Sequence, residues 1–89
     1  MAWRLEFAKP ALRELDKLDR QAARRILAFL HDRVIVNSDP RSAGQALKGS
    51  ALGEFWKYRI GDYRVVAAIE DHALRALVVR VGNRKDIYR

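Results

Sequence analysis

The chain contains no cysteine, which excludes disulfide bonds and thiolate metal sites. Histidine is scarce: only His31 and His72 are present, one in a helical stretch and the other in a turn away from the C-terminal cations. Both read as surface or packing residues, so a histidine pair for proton transfer near neutral pH is not expected. No run approaches the roughly 20 apolar residues that span a bilayer. The opening segment, Met1-Ala-Trp-Arg-Leu-Glu-Phe7, lacks the apolar core of a signal peptide. There are no repeats, linkers or low-complexity tracts, and no acidic cluster that could hold a metal. These absences predict a cytoplasmic protein with no membrane partner, no cofactor and no metal.

What is present fits one small domain. The 89 residues, 1–89, suit a single core and not two. Hydrophobic residues make up 49% of the chain, too many for a disordered one. The formal net charge is +7, and it is unevenly spread. Met1 to Pro40 carries eight Lys/Arg against six Asp/Glu, whereas Arg41 to Arg89 carries ten against five, so +5 lies in the second half. Such a balance points to a polyanionic partner: nucleic acid first, an acidic protein next, an anionic membrane surface a distant third.

Residue periodicity then orders the elements. Trp3, Leu5 and Phe7 alternate with Arg4 and Glu6 over Ala2 to Phe7, the pattern of a half-buried strand. Pro10 fits the first turn of a helix with Ala8, Leu12, Leu15 and Leu18 at helical spacing. Asp19 can cap a second helix, whose apolar side is Ala22, Ala23, Ile26, Leu27, Leu30 and Val34. The segment from Asn37 to Gly44 breaks that helix into a loop. Three strands follow, near Glu54–Ile60, Tyr63–Glu70 and Leu74–Val81. Gly61-Asp62 is a two-residue hairpin turn between the first two, and Asp71-His72-Ala73 turns the second into the third. The predicted fold class is α+β: an N-terminal strand, a two-helix hairpin and a three-stranded antiparallel meander, with the helices on one sheet face.

Strand alternation assigns each face. Trp56, Tyr58, Ile60, Tyr63, Val65, Ala67 and Ile69 form the apolar face expected under the helices. The opposite face carries Phe55, Lys57, Arg59, Arg64, Val66 and Ala68. A two-residue turn sets Arg59 directly across from Arg64, a like-charge pair that costs stability. A three-residue loop into the last strand would set Arg80 across from Arg64 as well. Four cations, Lys57, Arg59, Arg64 and Arg80, are thus expected on one open face, and an anion bound there would compensate their repulsion. After Gly82, a helical turn from Arg84 to Tyr88 would put these two side chains on one side, with Arg84 on a phosphate and Tyr88 on a base or a proton.

The segments Leu47-Lys-Gly49, Phe55-Trp-Lys-Tyr-Arg59-Ile-Gly-Asp-Tyr-Arg64-Val-Val and Arg80-Val-Gly-Asn-Arg84-Lys-Asp-Ile-Tyr88 resemble RelE-type toxins of the RelE/ParE toxin–antitoxin superfamily. The resemblance runs nearly the length of the chain. It implies the microbial-RNase-like RelE fold and cleavage of mRNA in the ribosomal A site. Its implied partners are the ribosome, mRNA and a cognate RelB-like antitoxin with an acidic or amphipathic segment. It marks Lys57, Arg59, Arg64, Arg84 and Tyr88 as catalytic positions and Lys48, Arg80 and Lys85 as RNA contacts. Arg59 stands where some relatives have lysine, and arginine cannot release a proton near neutral pH, so its expected role is electrostatic.

RNA supplies its own nucleophile, the 2′-hydroxyl. Arg59, Arg64 and Arg84 around one phosphate would favour a transition state richer in negative charge than the ground state. Lys57, whose neutral form is favoured by cationic neighbours, is the candidate base. Tyr88 shares proton transfer or stacks, and Arg84 assists the leaving oxygen. Two alternatives stand beside this reading: a ParE-type toxin that inhibits DNA gyrase, and a non-catalytic basic binding module.

Overall fold

The computed structural model describes residues 3–36, 39–47 and 55–87. Strand β1, Arg4–Phe7, leads into helix α1, Lys9–Lys17, with Pro10 in its first turn. Helix α2, Arg20–Phe29, starts at Asp19, whose carboxylate accepts the Ala22 N–H at 2.7 Å as a helix cap should. Among the described residues, no helix is long and apolar enough to cross a membrane.

Helix α2 widens at its end into a π-helical turn, Leu30–Ile35, where the Val36 N–H reaches the His31 carbonyl at 3.1 Å. The apolar stripe explains what the widening achieves. Ala22, Ile26, Leu30 and Val34 recur every fourth residue, and all four are buried. In an α-helix each such step overshoots a full turn by about 40°, so a strict four-residue stripe drifts off the core. The wider turn reverses that drift and keeps Val34 inside.

Among the described residues the sheet has five strands in the order β1-β5-β4-β3-β2. Strand β2, Gln45–Ala46, follows a 3-10 turn at Pro40–Ala43; β3 is Phe55–Ile60, β4 is Tyr63–Glu70 and β5 is Arg75–Asn83. A short helix α3, Arg84–Ile87, ends the described chain. Strand β1 lies parallel to β5, and the remaining pairs are antiparallel. The α+β architecture matches the expectation, with β2 an unpredicted addition too short for alternation to reveal.

The core is the layer between helices and sheet. Ala11, Ile26, Leu30 and Val34 meet Tyr58, Ile60, Val65, Ala67, Ile69, Ala76, Val78 and Val81 there. Tyr58 is fully buried, takes Phe29 edge-on at 6.3 Å between centroids, and donates its hydroxyl to the Pro40 carbonyl at 2.7 Å. Burial pushes the Tyr58 phenol up to about 12. Two residues of the expected stripe are instead exposed, Leu12 at 44% and Leu27 at 39%. Ala11 faces the sheet in place of Leu12, so α1 approaches on its smallest side chain.

Register carries the main correction. Ile60 pairs with Tyr63 and Arg59 with Arg64, as the Gly61-Asp62 turn requires. Arg80, however, pairs with Val66, while Arg64 faces Gly82. Two one-residue slips produce this. The connection after Glu70 holds four residues, with Leu74 in the left-handed region at φ 48°, so Glu70 pairs with Arg75. A bulge then shifts the ladder again between Val66 and Ala67. One slip would swap the faces of β5, whereas two restore them.

Candidate functional site

The Gly61-Asp62 turn organises the cationic end of the sheet. Gly61 takes φ +60°, the left-handed conformation such a turn needs. Its three consecutive carbonyls all bind the expected site. Arg64 Nη1 donates to the Gly61 oxygen at 2.9 Å and to the Tyr63 oxygen at 2.8 Å. The Arg84 N–H donates to the Asp62 oxygen at 2.9 Å, which ties the start of α3 to the same turn. Arg59, exposed at the end of β3, is the cross-strand neighbour of Arg64.

Arg64 is the unusual member of this group. It exposes only 6% of its surface, although charged residues are seldom buried without a partner. Val66 and Ala68 on the same face are also buried, at 7% and 8%. This face is therefore less open on its central strand than expected. The register explains it: these short side chains lie between Phe55 and Lys57 on one side and Leu77 and Arg80 on the other. No carboxylate pairs with Arg64, Arg59 or Arg84 among the described residues.

The other predicted positions divide. Lys57 lies on β3 in the same face, two residues before Arg59 and opposite Val66. Arg80 keeps that face but turns to α1, where its Nε meets Glu14 Oε2 at 3.1 Å. Glu14 also accepts the Val81 N–H at 2.8 Å, on the stretch of β5 that β1 leaves uncovered. Arg80 therefore does not stand across from Arg64 as expected, and its side chain is paired with Glu14. Lys85 is exposed, with its N–H on Asn83 Oδ1 at 3.0 Å. Lys48 and Tyr88 lie outside the described residues. His31 is exposed and bonds Asp32 at 3.0 Å, and His72 sits in the turn at the opposite end of the sheet.

Sequence reasoning missed two arginines on the helices. Arg25 reaches the hairpin turn from α2: a methyl group built on Gly61 would lie 2.9 Å from Arg25 Nη1. Its place beside Ile26, at the flank of the apolar stripe, was the available signal. Arg33 lies on the π-helical turn and lines a cleft of about 290 Å³ together with Lys57 and Arg59. No sequence pattern announces a π-turn, so that placement was invisible.

With this geometry in view, comparison defines the class. The family model described as ParE toxin of type II toxin-antitoxin system, parDE, matches residues 5–88. The chain belongs to this family, as a toxin of the RelE/ParE type. It is 29% identical to Toxin RelG of Mycobacterium tuberculosis over 89 residues, covering 100% of this chain and 99% of that protein. Its fold superimposes on a chain of the toxin–antitoxin complex RelBE2 from Mycobacterium tuberculosis with a TM-score of 0.82, at 24% identity over 97% of this chain and 95% of that one. A mutant E. coli toxin RelE in complex with an antitoxin RelBc peptide gives a TM-score of 0.73 at 28% identity, covering 93% and 84%.

Proposed function

We propose that this toxin is a ribosome-dependent endoribonuclease that cuts mRNA in the A site by 2′-hydroxyl attack on the scissile phosphate. One observation carries the reading. Among the described residues Arg64 is a buried cation held by backbone carbonyls alone, with Arg59 across the ladder and Arg84 tied to the same turn. A buried charge without a counter-ion is costly. A bound phosphate would supply that counter-ion, and the guanidinium fork fits its oxygens.

Each side chain then has a role. Arg64 grips the scissile phosphate, and Arg59 neutralises charge that builds on the phosphorane. Lys57, on the same face, takes the 2′-hydroxyl proton. Arg84 stabilises the departing 5′-oxygen, and Tyr88 stacks on a base or shares the proton transfer. Lys48 and Lys85 hold flanking backbone, with Arg80 a peripheral contact through its partnership with Glu14. The ribosome, in the cytoplasm, supplies substrate orientation. A cognate RelB-like antitoxin silences the site, in keeping with the antitoxin-bound relatives. Its acidic or amphipathic segment covers the cationic end or the helical hairpin.

The family match itself favours a second reading, inhibition of DNA gyrase. One experiment separates them. Purified toxin is added to programmed ribosomes and, separately, to gyrase in a supercoiling assay. The expected result is cut mRNA ending in a 2′,3′-cyclic phosphate or its opened form. An Arg64→Ala, Arg84→Ala double variant should lose at least about 10²–10³-fold in rate. Intact mRNA alongside blocked supercoiling would replace the first reading with the second.

A further inference from the structure

The Gly61-Asp62 turn has a neighbour besides the two strands it joins. Arg25 reaches it from α2, on the helix side of the sheet. The backbone of Arg25 is well anchored: the next residue, Ile26, is fully buried in the core, and Asp19 caps the start of the helix. Arg25 and the half-buried Tyr63 line one recess of about 220 Å³, together with Asp19, Gln21 and Ala22.

The guanidinium lies across the turn. A methyl group built on Gly61 would stand 2.9 Å from Arg25 Nη1 and 3.1 Å from both Cζ and Nη2. Near-equal distances to three atoms of one plane mean that its broad side, and not its edge, is turned to Gly61. Glycine therefore meets two demands here. Its φ of +60° suits the turn, and its missing side chain leaves the space that the guanidinium takes.

What this turn carries is the proposed phosphate grip. The Gly61 and Tyr63 carbonyls accept from Arg64 Nη1, and the Asp62 carbonyl accepts the Arg84 N–H. Rocking of the turn would shift both cations at once, and a displacement of about 1 Å is enough to cost up to about 10²-fold in rate.

We propose that Arg25 is a positioning residue: stacked on Gly61 from a fixed helix, it steadies the turn whose carbonyls orient Arg64 and Arg84. The inference rests on the ribonuclease reading and deepens it. Arg25 acts through the turn and not on the phosphate.

The test uses full-length toxin and programmed ribosomes, in single-turnover kinetics with toxin in excess. Arg25→Ala should slow cleavage at saturating toxin about tenfold and leave the half-saturating concentration unchanged. Arg25→Lys keeps the charge without the plane, and should be as slow as Arg25→Ala. Asparagine tolerates a positive φ but its side chain would displace the guanidinium, so Gly61→Asn should be slowed to the same degree. An Arg25→Ala, Gly61→Asn double variant should be no slower than either single one, because both break the same contact. Independently of cleavage, hydrogen exchange at the Arg84 amide should quicken about tenfold in Arg25→Ala, with exchange in the core strands unchanged. Arg25 is exposed, so its variants should melt with the wild type.

Wild-type cleavage by Arg25→Ala, with the wild-type protein cutting on ribosomes, would overturn the inference and leave the ribonuclease reading intact. Slow cleavage with unchanged Arg84 exchange would put the effect of Arg25 outside the turn and overturn it as well. Recovery in Arg25→Lys, single losses that multiply in the double variant, or a raised half-saturating concentration would each make Arg25 a separate charge contact with RNA and overturn it. A wild-type toxin that does not cut on ribosomes would remove the ribonuclease reading, and the role of Arg25 with it.

Discussion

The two ends of the sheet treat arginine in opposite ways. At the end where β4 turns into β5, every arginine meets acid. Arg75 contacts Glu70 at 2.6 Å and Glu6 at 3.2 Å. Arg41 bonds Asp71 and Asp39 and lies 5.9 Å from the centre of the Trp56 ring. The hydrogen bonds from Glu70 and Glu6 hold Arg75 charged beyond the ordinary arginine range, and Asp71 does the same for Arg41. At the Gly61-Asp62 end, Arg25, Arg59, Arg64 and Arg84 gather around one turn without an ion pair among the described residues. Neutralised arginines serve as fasteners. On the proposed reading, Arg59, Arg64 and Arg84 serve to attract the phosphates of RNA.

The strongest way to break the comparison is to remove Arg64. Arg64→Ala should cost about 10²–10³-fold in cleavage of mRNA on programmed ribosomes, because a charge aimed at the transition state is lost. Cleavage close to the wild-type rate would erase the distinction between the ends. A subtler change brings acid to the cationic end. Asn83→Asp should keep the side-chain oxygen that accepts the Lys85 N–H while placing a carboxylate next to Arg84. The expected loss is about tenfold, since such a group repels phosphate and competes for the guanidinium. An equal rate in single-turnover kinetics would show that charge balance at this end is irrelevant.

Alkaline pH probes the core between the two ends. The Tyr58 phenol ionises at about 12 when folded and near 10 when unfolded. Below pH 10 both states keep the proton, and stability is unaffected by this group. Between pH 10 and 12 only the unfolded chain loses it, so stability falls as pH rises, by about 2–3 kcal/mol in all. Tyr58→Phe should cost about 1 kcal/mol at pH 7 for the lost bond to Pro40, and it should remove this part of the alkaline decline. Melts of both proteins at pH 7, 10 and 11.5 would reveal the difference. The smallest effect belongs to the acid-balanced end. Glu70→Gln should lower the melting temperature slightly, less so in high salt, and leave cleavage untouched. Loss of cleavage there would mean that the fastener reaches the site.

The sequence revealed whatever followed from short, rigid connections. Gly61-Asp62 allows one hairpin register, so the Arg59–Arg64 pair followed directly. The Asp19 cap was equally readable, because a carboxylate before an apolar-periodic run has one evident use. Arg80 was misplaced because the connection after Glu70 is one residue longer than expected and the bulge at Val66/Ala67 leaves no mark in an alternating strand. Its pairing with Glu14 spans 66 residues and depends on where α1 crosses β5. The burial of Arg64 escaped as well, since alternation assigns a face and not the height of the neighbouring side chains. Arg33 was out of reach for a similar reason: its position depends on a helix that changes pitch.

The paired slips in β5 carry a consequence for how this chain tolerates insertions and deletions. Removing one residue from the Asp71–Leu74 connection would act on the strand like a frameshift on a gene: every later side chain would present the wrong side. Arg80 would be driven into the greasy layer, and Val81 would be turned out to water. Removing two would preserve parity and merely slide the tail along its neighbour. Length variation at this corner should therefore come in even steps.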